Sequence, residues 1–176
     1  RKKHVHPLKL LLIAIGVQLL VLAQTHHLDT RDANLSRVME LVRAYANWSF
    51  SLGIFAIVGA SLLVLRWRRA YNLTEHLVLG VYVHFLIIVA NIVNQLPVLV
   101  FRDPAFLAAH KQWSAWPMDA IEALIMLFAF RQFFQLDLKR DAWRLLLAAA
   151  VFIALKYLLV RLYSYALVKL VLAQLA

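Results

Sequence analysis

The sequence predicts an all-α fold, a polytopic transmembrane helical bundle, and three observations support this prediction. Hydrophobic residues make up 64% of the 176-residue chain, whereas an average soluble domain is only about 45–50% apolar. The mean hydropathy of the chain is +0.74. Several windows of about 20 residues are apolar enough to cross a bilayer as helices. We therefore expect one transmembrane domain that occupies residues 1–176.

The apolar windows divide the chain into about five spans, which polar or basic segments separate. The predicted spans cover residues 8–24, 48–65, 73–100, 117–134 and 143–163 or longer. Pro97 is expected to kink or end the third span near Leu96, because proline removes a helical hydrogen bond. The stretch 101–116 is predicted to be a loop that contains a short interfacial helix. Because the chain begins with Arg1, we expect a soluble N-terminal piece to precede it.

The segment between the first two spans predicts an amphipathic helix. Asp32 can cap it, and Leu35, Val38, Met39 and Val42 recur at the helical period of about 3.6 residues. Such a helix is expected to lie on the membrane surface with its charges in water. The second span is rich in Gly, Ala and Ser, which let helix backbones approach closely in lipid.

The basic residues predict one orientation in the membrane. The N-terminal lead, the second loop and the fourth loop hold four, three and four Lys or Arg residues, against three and two in the first and third loops. Cytoplasmic loops carry the excess of positive charge. We therefore expect the N-terminus in the cytoplasm of a bacterium, the C-terminus outside, and the chain in the inner membrane.

A polar stripe runs along the third span. Its members are His76, Gly80, His84, Asn91 and Gln95. At about 100° per residue, the last four fall within roughly 60° of one another, and His76 lies about 80° to one side. Polar groups are costly in hydrocarbon and usually face a protein interior or a cavity. The stripe is therefore predicted to face neighbouring helices.

Charged residues of the last two spans are expected at the level of Asn91. Asp119 and Glu122 open the fourth span, and Lys156 and Arg161 lie in the outer half of the fifth. Buried ion pairs among these four would limit the cost of charge in a low dielectric. Two interpretations are open: the pairs tie helices together, or they continue a proton or solute path from His84, since histidine titrates near physiological pH.

Another charged group is predicted at the cytoplasmic rim, where Glu75 follows the basic turn of Arg66, Arg68 and Arg69. A salt bridge between Glu75 and these arginines is one interpretation. The other is a site for lipid headgroups or for a partner protein.

Several classes of chemistry do not fit the sequence. The chain has no Cys, which excludes disulfides, thiolate metal sites and cysteine nucleophiles within these residues. His76 and His84 share one helix and lack the facing ligand that haem needs. The sequence has neither a zinc motif nor a nucleophile elbow. We expect no catalytic residue, no metal, no nucleic-acid partner and no cofactor beyond bound lipid.

Short motifs resemble a bacterial multi-pass membrane family, the one called domain of unknown function 3667. A basic "VHP" segment precedes the first span, and a Tyr-x-x-x-Glu-His pattern with a later histidine opens another span. The matching positions are Val5, His6, Pro7, Tyr71, Glu75, His76 and His84. Members of that family usually carry an N-terminal zinc ribbon, which this Cys-free chain lacks. The resemblance implies several spans and a role for Glu75, His76 and His84, but no activity.

Three functions remain open at this stage. The leading hypothesis is a non-catalytic accessory or scaffold subunit that packs against a larger inner-membrane complex or against its own copies. The alternative is a small transporter or channel for protons or a solute, with His84 and the outer polar cluster along the path. The second alternative is a redox subunit that binds lipid or quinone.

Overall fold

The computed structural model describes residues 6–25, 52–65, 71–101 and 103–175, and every regular element in these ranges is an α-helix. The helices are α1 (Pro7–Thr25), α2 (Leu52–Leu65), α3 (Leu73–Val100), α4 (Pro104–Phe133) and α5 (Leu138–Leu175). The prediction of an all-α fold is therefore confirmed. The predicted surface helix after Asp32 and the basic turn of Arg66, Arg68 and Arg69 lie outside the described residues.

Three of the helices are long and apolar enough to cross a membrane. The qualifying segments are Leu73–Val100, Gln112–Phe133 and Leu138–Leu170. Two further helices are apolar but shorter within the described ranges, at Pro7–Val21 and Leu52–Leu65. These lengths fit a membrane protein, while the count of five crossings and the orientation stay predictions.

The helices α2, α3, α4 and α5 close a four-membered ring. Helix α3 packs against α2 and α4, and α5 packs against the same two helices from the other side. Helix α1 packs on the outside of the ring against α3, where Leu11 and Ala14 meet Ile88. The centre of the ring is filled by side chains that include Ile57, Val83, Met126, Phe130 and Phe152. Helix α3 therefore holds the central position, with three neighbours.

The start of α3 is fixed by a capping box. The Asn72 side chain accepts a hydrogen bond from the Glu75 backbone N–H at 2.9 Å, and the Glu75 carboxylate accepts one from the Asn72 N–H at 2.8 Å. These bonds satisfy backbone donors that a helix start leaves without partners. Glu75 was predicted to belong to a charged group at the cytoplasmic rim. In the structure it caps the start of its own helix.

Two prolines lie inside helices. Pro97 does not end α3 near Leu96: the helix continues to Val100, and the Phe101 N–H donates to the Pro97 carbonyl at 2.9 Å. The predicted loop over residues 101–116 is wrong as well, because α4 begins at Pro104 and runs through Pro117. Packed neighbouring helices in membranes compensate for the hydrogen bond that proline removes.

The first turn of α4 explains its early start. Asp103 precedes the helix, and its side chain accepts a hydrogen bond from the Phe106 N–H at 3.2 Å. Pro104 occupies the first helical position, where its missing N–H costs nothing. Helix α5 likewise begins at Leu138, earlier than the predicted residue 143, and Asp141 in its first turn pairs with Arg144 at 2.8 Å.

Candidate functional site

Two carboxylates of α4 share one ammonium group of α5. Lys156 Nζ donates to Asp119 Oδ1 and to Glu122 Oε2, both at 2.6 Å. Asp119 and Glu122 are three residues apart in α4 and therefore project from neighbouring positions on one face of the helix. One lysine can then reach both. We call Asp119, Glu122 and Lys156 the charged triad.

Two neutral side chains extend the triad. Asn91 Nδ2, from α3, donates to Glu122 Oε1 at 3.3 Å and to the Ile87 carbonyl at 3.2 Å. The Tyr157 hydroxyl donates to Asp119 Oδ2 at 3.2 Å. Polar groups of α3, α4 and α5 thus meet at one level of the ring. Such bonds between helices are worth about 0.6 kcal/mol each on average in membrane proteins.

A cavity of about 200 Å³ lies against this level. Its polar wall consists of His84, Asn91, Glu122 and Lys156. Its remaining wall is nonpolar and consists of Leu52, Gly53, Ile87, Ile88, Phe152 and Val160. The cavity therefore places one imidazole, one carboxylate, one ammonium group and one amide around a mostly hydrocarbon space.

His84 is the polar side chain of the wall that packs against Gly53 of α2. The residue is only 4% exposed, and its ring lies against the backbone of Gly53. A Cβ atom at Gly53 would stand 2.7 Å from two atoms of the imidazole ring. The absence of a side chain at Gly53 is therefore what lets the imidazole occupy this place beside the cavity.

His76 belongs to a different polar contact, toward the start of α3. Ser61 Oγ lies 2.9 Å from His76 Nδ1 and donates to the Val58 carbonyl, also at 2.9 Å. The Ser61 hydroxyl therefore lies between the His76 ring and the backbone of its own helix. The imidazole also lies 5.5 Å from the Phe134 ring, centroid to centroid. His76 therefore ties α3 to α2 and to the turn after α4.

The structure brings together part of the predicted site. Asn91, Asp119, Glu122 and Lys156 meet directly. Arg161, predicted to share their ion pairs, is exposed and forms no salt bridge with a residue in the described ranges.

The rest of the polar stripe divides among separate contacts. Gly80 packs against Val58 of α2. Gln95 is half-buried, and its side-chain oxygen has no hydrogen-bond partner among the residues that the structure describes. The stripe faces neighbouring helices, yet only His84 and Asn91 of its five members line the cavity.

Several contacting residues were not anticipated from the sequence. Tyr157, Ser61 and Val160 were not singled out, and Gly53 carried no link to His84. A tyrosine next to a lysine within an apolar helix was the available signal for Tyr157. Which side chain of α2 opposes each polar group of α3 depends on the rotation of both helices, and the apolar residues on all sides of α2 leave that rotation open.

The described ranges hold no group of three or more His, Cys, Asp or Glu side chains arranged to bind a metal ion. Comparison of the chain with protein-family models, curated proteins and solved structures finds no match. The resemblance of its short motifs to a membrane family therefore stays a prediction.

Proposed function

We propose that this chain is a small membrane transporter or channel that passes protons or a small solute through the cavity between α2, α3, α4 and α5. The observation that supports this proposal is the cavity of about 200 Å³ beside His84. A role limited to tying helices together predicts close packing around polar groups, because protein interiors leave few voids larger than water. Here the polar groups instead border a cavity that is partly open to the outside of the helix bundle.

The kind of groups at the cavity favours conduction over a purely structural role. His84, Glu122 and Lys156 are all ionisable, and they line one space within a chain that is 64% hydrophobic. Ionisable side chains at membrane depth that face a cavity commonly mark ion or substrate pathways. No catalytic role is proposed. We further propose the bacterial inner membrane, with five crossings and the N-terminus in the cytoplasm.

Flux measurements in vesicles test the proposal. The purified chain is reconstituted into liposomes, and proton entry is followed with an entrapped pH dye. Entry of small cationic, neutral and anionic solutes is followed by vesicle swelling. We expect one of these fluxes to exceed that of protein-free vesicles. The Val160→Phe variant should lower this flux, because Val160 lines the cavity but is 41% exposed, so added bulk can fill the space without disrupting the core.

Leu162→Phe is the matched control. Leu162 lies in the same helix, is 57% exposed and does not line the cavity. Its substitution should leave the flux unchanged. If vesicles with the unaltered chain show no flux above protein-free vesicles for any probe, the transport proposal is wrong.

The accessory-subunit hypothesis remains a second proposal, and one observation favours it. Helix α5 has 38 residues, a length of roughly 57 Å, and most of its side chains from Val160 to Leu170 are exposed. These exposed side chains offer a surface for packing against another subunit. A stoichiometric partner recovered from native membranes in mild detergent would support this proposal, and recovery of the chain alone would count against it.

A further inference from the structure

We infer that the cavity takes a small organic cation, a primary ammonium group attached to a compact hydrocarbon body. This inference rests on the proposed function, because it names the class of solute that the same cavity would bind. The inference is based on two features that lie side by side. The charged triad has one negative charge in surplus, and the cavity next to it is small and mostly nonpolar.

The charged triad does not balance itself. Lys156 brings one positive charge and Asp119 and Glu122 bring two negative charges, so one negative formal charge is in surplus. Arg161, the nearest further cation in α5, is exposed and pairs with neither carboxylate. Asn91 and Tyr157 donate hydrogen bonds but bring no charge. In a low dielectric, a surplus charge favours binding of a counter-ion.

The surplus charge is directed toward the cavity. The Glu122 side chain is 10% exposed, against 34% for Asp119, and Glu122 lines the cavity whereas Asp119 does not. Asp119 is the more exposed of the two carboxylates, and it can neutralise Lys156 from outside the cavity. Lys156 also lines the cavity, but its single charge is shared between two carboxylates. A ligand in the cavity would therefore meet Glu122 and Lys156 in a group that keeps one negative charge in surplus.

The walls set the size and the character of the ligand. An engineered apolar cavity of about 150 Å³ holds benzene, so a space of about 200 Å³ suits a molecule of roughly six to eight non-hydrogen atoms. Leu52, Ile87, Ile88, Phe152 and Val160 offer hydrocarbon contact to its body. Glu122 offers hydrogen-bond acceptors to an ammonium group. A bare metal ion would leave most of the apolar wall without a contact.

Three probes of nearly equal shape decide the charge preference. Benzylammonium, benzyl alcohol and benzoate are titrated into the full chain in lipid nanodiscs, at about pH 8, where free imidazole is uncharged. Binding is measured by isothermal titration calorimetry. We expect benzylammonium to bind at least about tenfold more tightly than benzyl alcohol, and benzoate to bind most weakly, because the charge at Glu122 attracts the first and repels the last.

Charge variants then locate the source of the preference. Asp119→Asn and Glu122→Gln each remove the surplus charge, so each should weaken benzylammonium binding by about tenfold and leave benzyl alcohol binding nearly unchanged. The effect of Asp119→Asn is the sharper test, because Asp119 does not line the cavity. Asp103→Asn is the control: it removes a negative charge roughly 24 Å along α4 and keeps a residue type that caps helices well.

The outcomes separate this inference from the proposed function. Equal binding of benzylammonium and benzyl alcohol, or no effect of Asp119→Asn in a folded variant, would overturn the cation inference while flux through the cavity could still be present. Tight benzylammonium binding without any flux in vesicles would support the cation site and contradict transport. The comparison of the three probes on the unaltered chain decides the inference even when a variant fails to fold.

Discussion

Gly80 is a residue at which α3 packs closely against α2. A Cβ atom there would stand 2.5 Å from Val58 Cγ2 and 3.7 Å from the Ile54 carbonyl oxygen. Val58 is β-branched and nearly fixed in its rotamer within a helix, so it cannot turn aside easily. The close contact therefore depends on the missing side chain of Gly80, and it helps to set the distance between the two helices.

We expect Gly80→Ala to lower the free energy of unfolding by about 1–3 kcal/mol, because it forces an extra methyl group into packed space. Unfolding by sodium dodecyl sulfate in detergent micelles measures this. Gly16→Ala is the control: nothing lies within 4 Å of a Cβ atom at Gly16, so the variant should be neutral or gain up to about 1 kcal/mol from helix propensity. Adding Val58→Ala to the Gly80 variant should recover part of the loss, and no recovery would contradict the steric explanation.

The charged residues show what helical periodicity can predict and where it fails. Asp119 and Glu122 are three residues apart, which places them on one face of a helix, and the predicted direction of each span places them at the level of Lys156. Arg161 was expected to join them, but it lies five residues beyond Lys156. At about 100° per residue it projects roughly 140° away from Lys156 around the helix. Arg161 therefore lies at a depth from which it could reach the carboxylates, but its side chain projects from the wrong face of the helix.

At the scale of single helices, the two internal prolines account for two of the helix boundaries that were predicted wrongly. Pro97 was expected to kink or end the third span and Pro117 to begin the fourth, yet α3 and α4 continue through these prolines. Proline costs an exposed helix in water about 3 kcal/mol, but the sequence does not reveal which neighbours will support the helix at that point. The starts of these helices do carry a signal in the sequence. Asn72 and Asp103, which are residue types that cap helices well, each precede a helix by one residue.

The capping box of α3 gives a prediction at this scale. Asn72→Ala removes the acceptor for the Glu75 N–H, and should lower the free energy of unfolding by about 1 kcal/mol, a typical loss for an N-cap residue. The same detergent unfolding measurement applies. Thr74→Ala is the control, because Thr74 lies exposed in the first turn of the same helix. If both variants lose equal stability, the cap is not the cause.

For the whole molecule, contacts at the two ends of the four-helix ring show which connecting segments lie on the same side of the ring. The Tyr71 hydroxyl, just before α3, donates to the Phe133 carbonyl at the end of α4 at 2.9 Å. The start of α3 and the turn between α4 and α5 are therefore at one end of the ring. The segment between α3 and α4 is at the other end, and the basic residues predict that this second end faces outward.

The absence of Cys from the chain makes this orientation directly measurable. A single cysteine replaces Gln135, exposed in the turn between α4 and α5, or Ala105, exposed near the start of α4. A membrane-impermeant maleimide should then label Ala105→Cys in spheroplasts and Gln135→Cys only in inverted membrane vesicles. The unaltered chain is the control for background labelling. Labelling of both positions from one side would contradict a crossing by α4. The opposite pattern would preserve the crossing and reverse the orientation, which would place the charged triad in the cytoplasmic half of the membrane.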